Sequence, residues 1–205
     1  MFLILKPTDE RIREYLARQL DQPLSYDLVG CTRQDPERLS HWNVDRKRAI
    51  VGHGEAAFGK GKTAIETWRM FPPEIAELCC QEPPRVGLNV AVLYWAAPVR
   101  LWILMAARVV YLVNENIERD GNHVERFGFG YGTLSDHAER GEERFVVEWN
   151  RRDDSVWYDL MAVSQPRHWL ARLAYPYNRY EQARFRRLSA AAMQRAVSKE
   201  VSADR

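Results

Sequence analysis

The sequence predicts an α+β fold, a curved antiparallel sheet wrapped around a long C-terminal helix, with an extra N-terminal helix. Two observations carry this. In Gly128-Phe129-Gly130-Tyr131-Gly132-Thr133, glycine takes every second position and aromatic or hydroxyl side chains take the others. Period two marks a strand, here with one face filled and the other nearly bare, open to close approach by another group. Around it, strand-like segments broken by turn residues occupy residues 86–164, and helical spacing follows them.

The elements are justified in order. Thr8 caps a helix whose first turn holds Asp9 and Glu10; Ile12, Tyr15, Leu16 and Leu20 share its apolar side, and Pro23 ends it. Asp35–Asn43 reads as a loop. Arg48–Gly54 reads as a strand because Ile50 and Val51 are β-formers with glycines beyond them. Glu55–Phe71 reads as a helix stopped by Pro72-Pro73, a short helix is expected over Pro73–Cys80, and Pro83-Pro84 is a linker. Strands are expected at Val86–Trp95, Arg108–Asn116, Glu125–Leu134, Glu142–Asn150 and Val156–Ser164, with turns at Asp120-Gly121-Asn122 and Arg152-Asp153-Asp154-Ser155. From Pro166 to Val197 the stripe Leu170, Leu173, Tyr177, Phe185, Leu188 and Met193 predicts a helix that Pro176 kinks or divides. Residues 198–205 read as a frayed tail. The chain is thus one domain, 1–205, with its core at about 8–197.

Composition narrows the function classes. A net charge of +2 carries no global polyanion-binding signature. Three cysteines, two of them adjacent, make no disulfide framework, so a reducing cytoplasm is expected. Met1–Leu5 is too short for a signal-peptide core. The apolar stretch Leu88–Val113 is broken by Pro98, Arg100 and Arg108, which excludes a membrane-spanning helix and favours two core strands.

This element order is that of the helix-grip architecture of START-like and birch-pollen-allergen-like domains, which often hold an apolar cavity between sheet and helix. The motifs resemble a bacterial and plant family called domain of unknown function 1990. They are Val51-Gly52-His53-Gly54-Glu55, Trp68-Arg69-Met70-Phe71, Gly128-Phe129-x-Tyr131-Gly132-Thr133-Leu134-x-x-His137-x-Glu139-x-Gly141-Glu142-Glu143-x-Phe145, Trp157-Tyr158 and Tyr175-Pro176. The chain departs from the pattern at Ser135 and Ala138, where a Gly- or Pro-containing turn is expected. The resemblance covers about residues 8–197 and implies a fold, with no activity attached.

Two motif-like strings are decoys. Ala56-x-x-x-x-Gly61-Lys62-Thr63 lacks the first glycine of a phosphate-binding loop and lies within a helix. His53-Gly54-Glu55 with Cys79-Cys80 lacks the two-residue cysteine spacing that places both thiolates on one zinc ion. No metal and no cofactor are expected.

The carboxylates are more informative. Glu143 alternates onto one face with Phe145, Val147 and Trp149, whereas Glu142, Arg144, Val146 and Glu148 read as the wet face. A carboxylate on an apolar face needs a partner or a raised pKa; Arg108, Tyr131 and His53 are the candidates. For Glu143 the two readings are acid/base chemistry and, in preference, a structural bond; Asp159 shares a face with Trp157 and Met161 and receives the same two readings in the same order. Candidate ligand-binding residues are therefore Tyr131, Glu143, Arg108, Trp157, Asp159 and His53, and candidate catalytic residues are Glu143, Tyr131 and His53. The C-terminal helix carries Arg167, Arg172, Arg179, Arg184, Arg186, Arg187 and Arg195, read as a solvated face paired with acids of the 136–143 turn in preference to a nucleic-acid or membrane contact.

The leading expectation is a domain binding a small apolar or amphipathic molecule. The alternatives are a cyclase- or dehydratase-like enzyme built on Glu143, Tyr131 and His53, and an interaction protein using the arginine helix. A wholly apolar cavity favours the first, an enclosed cavity with a polar cluster at its end the second, and a filled core with an exposed arginine stripe the third.

Overall fold

The computed structural model describes residues 1–33, 39–96, 100–137, 139–166 and 175–198. Eight strands form one antiparallel sheet: β1 (Phe2–Leu3), β2 (Asn43–His53), β3 (Ala76–Cys79), β4 (Asn89–Ala96), β5 (Leu101–Arg119), β6 (Asn122–Thr133), β7 (Glu139–Asn150) and β8 (Ser155–Pro166). Their order is β2-β8-β7-β6-β5-β4-β3, with β1 paired to β5 off this path. Among the described residues, three α-helices accompany them: α1 (Asp9–Arg18), α2 (Gly54–Glu66) and α3 (Tyr175–Ser198). A one-turn 3₁₀ helix spans Cys31–Arg33. The arrangement is a helix-grip fold.

Local chemistry explains most boundaries. Thr8 caps α1, its side chain accepting from the Arg11 N–H. Asp120 and Gly121, both at positive φ, make the two-residue turn between β5 and β6. α2 ends at Glu66, short of the expected Phe71. Trp68 adopts φ 57, the Trp68 N–H donates to Ile65 O, and the Arg69 N–H donates to Ala64 O. That is a left-handed C-terminal cap built on a tryptophan, whose backbone strain is offset by packing. The indole nitrogen donates to Glu82 O, and its ring meets Phe129 edge-on at 4.8 Å.

Two expected elements are corrected. Pro73–Cys80 is not a helix: Ala76–Cys79 pairs with β4, because the free edge of β4 offers hydrogen bonds that outweigh a weak helical preference. Pro166 does not begin the C-terminal helix but ends β8. Pro176 lies at the start of the described part of α3, so whether it kinks or divides the helix falls outside the described residues. The apolar positions Leu170, Leu173 and Ala174, with Arg167, Arg172, Pro98, Ala138 and residues 199–205, lie outside the described residues.

The concave face of the sheet holds the main core. Phe129, Tyr131, Phe145, Val147, Tyr158 and Leu160 pack with Phe58, Ile65, Met70 and Phe71 around α2, and with Ala190, Met193 and Val197 of α3. Full burial of Phe129 or Phe145 is worth about 1.5–3 kcal/mol each. α3 lies against β2, β8 and α2. Gly61 lets α2 approach β7, since a Cβ there would sit 3.1 Å from Val147 Cγ1. That close approach accounts for the glycine of the loop-like string, whose Lys62 lies over the Phe58 and Phe127 rings.

The opposite face is not wet, which corrects the reading of Glu142, Arg144 and Glu148: all three are buried. The segment after α1 covers much of it, and tyrosines fill the bare glycine side. A Cβ on Gly130 would lie 2.3 Å from Tyr111 Cζ, and one on Gly132 would lie 2.2 Å from the Tyr26 hydroxyl oxygen. Glu142 accepts from Tyr26 OH at 2.7 Å, Gly30 N–H at 2.7 Å, Thr32 N–H at 2.9 Å and Thr32 OH at 2.5 Å. Glu148 binds Arg48, Arg119 and Arg126. Burial alone would raise its pKa, but the Arg119 hydrogen bond and the three positive charges hold it at about 2.

Candidate functional site

A cleft of about 220 Å³ lies between the concave face and the N-terminal half of α3. Its position follows from the packing. The C-terminal half of α3 sits close on the sheet, with the Tyr158 hydroxyl 2.8 Å from the Ser189 hydroxyl and Gln194 donating to Ile50 O. Nearer Tyr177, side chains of α3 and of β4, β5 and β6 line a common space. Phe71, Val92, Ile103, Met105, Ala107 and Phe185 supply apolar lining. Tyr94, Tyr131, Glu139, Glu143, Glu181, Gln182 and Arg186 supply polar groups.

Tyr131 and Glu143 face each other on directly paired positions of β6 and β7. The Tyr131 hydroxyl donates to Glu143 Oε2 at 2.7 Å. Burial pushes Glu143 up to about 7; the Tyr131 hydrogen bond and Arg186 pull it down, while Glu139 and Asp45 push it up. Burial also pushes the Tyr131 phenol well above its usual range, with Glu143 adding to the shift, so Tyr131 remains a donor. The pair can hold one proton near neutral pH beside an apolar wall.

The neighbouring polar groups are mostly paired. Gln182 donates to Glu139 Oε2 at 2.7 Å, and burial raises the Glu139 pKa. Arg179 and Arg186 both bind Asp45 of β2. Tyr94 donates to Glu181, which also binds Arg184 at 3.2 Å. His137 lies at the cleft with Nδ1 3.1 Å from Glu139 N; burial pushes it down to about 4, so its imidazole is neutral at pH 7.

The structure brings together two of the six sequence candidates, Tyr131 and Glu143. Arg108 is elsewhere, donating to Asn89 Oδ1 at 2.7 Å and to Leu20 O at 2.8 Å. His53 is exposed at the start of α2, making no side-chain cap bond. Asp159 is fully buried on the opposite face, bound by Arg46 and by Arg144 at 2.8 Å. Trp157 lies beneath Arg48 and donates to Ser155 Oγ. None of these four lines the cleft. Among the described residues, Arg179, Arg184, Arg186 and Arg195 of α3 form ion pairs with Asp45, Glu181 and Glu74, in place of the expected acids of the 136–143 turn.

Sequence reasoning missed Glu139, Glu181 and Tyr94. Signals existed for two of them. Glu139 belongs to the His137-x-Glu139 string, and Glu181 falls four residues from both Tyr177 and Phe185, on the apolar stripe and not among the arginines. Among the described residues, no group of three or more His, Cys, Asp or Glu side chains is placed to hold a metal ion, and no helix is long and apolar enough to cross a membrane.

A family model described as "Domain of unknown function (DUF1990)" matches residues 25–192. A UPF0548 protein of Dictyostelium discoideum is 35% identical over 200 residues, covering 90% of each chain. Another, from Deinococcus radiodurans, is 34% identical over 194 residues, covering 89% of this chain and 88% of its own. Among solved structures, a START superfamily protein from Mycobacterium smegmatis is similar with a TM-score of 0.45 and 13% identity, covering 75% of this chain and 96% of that one.

Proposed function

This chain belongs to the DUF1990 family, whose description assigns no activity, and from that premise we propose that it binds a small amphipathic molecule between the sheet and α3. One observation carries the reading: the cleft joins an apolar wall of Phe71, Met105 and Phe185 to a polar cluster around Glu143 and Tyr131. Ligand sites combine these two features. At about 220 Å³ the cleft lies below the roughly 300–1,000 Å³ of drug-sized pockets, so its occupant is small. The three unpaired cysteines, Cys31, Cys79 and Cys80, favour a reducing compartment such as the cytoplasm.

Native mass spectrometry of the purified protein tests this reading. The expected result is a co-purified small molecule, or uptake of added octan-1-ol, that is lost in Met105→Trp, where the larger ring fills the cleft. Protein that carries nothing and takes up no octan-1-ol would reject it.

A second reading, acid/base catalysis, is favoured by one specific observation. Glu143, held near pH 7, lies 2.7 Å from a phenol donor and so meets the requirement for a proton-transferring group. His53 plays no part in it. If a ligand is captured, its incubation with protein in deuterium oxide is expected to incorporate deuterium, and Glu143→Gln is expected to stop this. Absence of incorporation would leave a carrier or sensor as the function.

A further inference from the structure

Among the described residues, the charges around Glu143 do not balance. Within its neighbourhood on β2, β7 and α3 stand three described carboxylates, Asp45, Glu139 and Glu143, and two described guanidinium groups, Arg179 and Arg186. Both guanidinium groups are bound to Asp45, and Glu139 is held by Gln182. Glu143 is left with a neutral partner, the Tyr131 phenol on Oε2. Among the described residues, Glu143 forms no ion pair, and its Oε1 accepts no hydrogen bond. Arg140, at the rim of the cleft, is exposed and directed to Gln165 Oε1, with its guanidinium over the Trp42 ring.

A carboxylate beside an apolar wall costs free energy unless a cation joins it. Glu143 lines the cleft and its Oε2 is already fixed by Tyr131, so the carboxylate is held in place for one incoming donor on Oε1. A positive charge brought in by a ligand restores balance, and Phe185, Phe71 and Met105 cover the rest of the molecule. Resting on the reading of the cleft as a ligand site, we propose that its ligand is a small amphipathic amine whose ammonium group is bound by Glu143, with its hydrocarbon part against Phe185 and Met105.

Isothermal titration calorimetry with three probes of equal chain length tests this: octylamine (cationic), octan-1-ol (neutral) and octanoate (anionic). At pH 8 the parent protein is expected to bind octylamine about tenfold tighter than octan-1-ol, the advantage of one charge-assisted hydrogen bond over a neutral one. Glu143→Gln is expected to bring the amine-to-alcohol ratio within about twofold of unity. A second arm uses the parent protein alone. Groups facing Glu143 are Tyr131 of β6, Glu139 of β7, Tyr158 of β8, Asp45 of β2 and Arg186 of α3. Glu143 itself takes up a proton between pH 8 and pH 5.5, so the ratio is expected to fall about fivefold or more. Equal binding of amine and alcohol at pH 8, tighter binding of octanoate, or a preference that survives Glu143→Gln would overturn the amine assignment while leaving the ligand site standing. Failure of all three probes to bind would reject the ligand site and the assignment with it.

Discussion

The Tyr131 hydroxyl donates to Glu143 Oε2 at 2.7 Å across directly opposed positions of β6 and β7. Both side chains are held on the concave face by strand alternation, beside the Phe145 ring, whose centroid is 5.4 Å from that of Tyr131. This phenol is the sole hydrogen-bond donor to Glu143 among the described residues, and the pairing sets the first prediction.

Glu143→Gln is expected to change stability in a pH-dependent way. The folded-state pKa is raised from 4.5 to about 7, so the folded protein holds this proton more tightly than the unfolded chain does. The penalty is absent below about pH 4.5, grows as pH rises, and is complete above about 7, with an upper limit of about 3 kcal/mol. Glutamine keeps an acceptor for Tyr131 and carries no charge. Urea denaturation is therefore expected to show parental stability at pH 4.5 and a gain of about 1–3 kcal/mol at pH 8. A loss at pH 8 would mean that Glu143 is part of a structural ion pair.

Gly130→Val is expected to destabilise by about 1–3 kcal/mol through overpacking. The close neighbour is the Tyr111 ring, from the strand paired with β6, which lies over the glycine and would sit only 2.3 Å from an added Cβ. The loss is expected to shrink in a Tyr111→Ala background, where the double-mutant cycle reads the clash directly. Additive effects of the two substitutions would show that the ring is free to move aside.

Removing the Glu142 carboxylate is expected to release the segment around residues 26–32. Glu142→Ala strands four donors, and thermal or urea denaturation is expected to show a loss of about 3–5 kcal/mol. Glu142→Gln keeps the shape but turns an N–H toward donors, and about 2 kcal/mol is expected. A neutral Glu142→Ala would show that the segment is held by Tyr26 and Cys31 packing alone.

Much of the architecture was legible because sheet periodicity is local. Alternation through Gly128–Thr133 and Glu143–Trp149 assigned the concave face correctly, and the Asp120-Gly121 turn announced its hairpin. β3 was not legible, since Ala76–Cys79 becomes a strand only because β4 has an edge to fill. The burial of Glu142 and Glu148 was not legible either. The segment that buries Glu142 has no periodicity, and nothing local tells a wet strand face from one covered by a loop. Within the site, Glu143 and Tyr131 could be read from alternation. Asp159 and Arg108 could not be excluded, because their partners, Arg46 and Arg144 for one and Asn89 and Leu20 for the other, come from distant parts of the chain.

The central claim is that the space between the sheet and α3 takes an amphipathic molecule. Titration of isotope-labelled protein with octan-1-ol, followed by NMR chemical-shift mapping, tests it most directly. Saturable shifts concentrated on Met105, Tyr131, Glu143, Gln182 and Phe185 are the predicted result. Shifts confined to the exposed apolar residues Phe2, Ile4 and Leu5, or no saturable shifts at all, would contradict it.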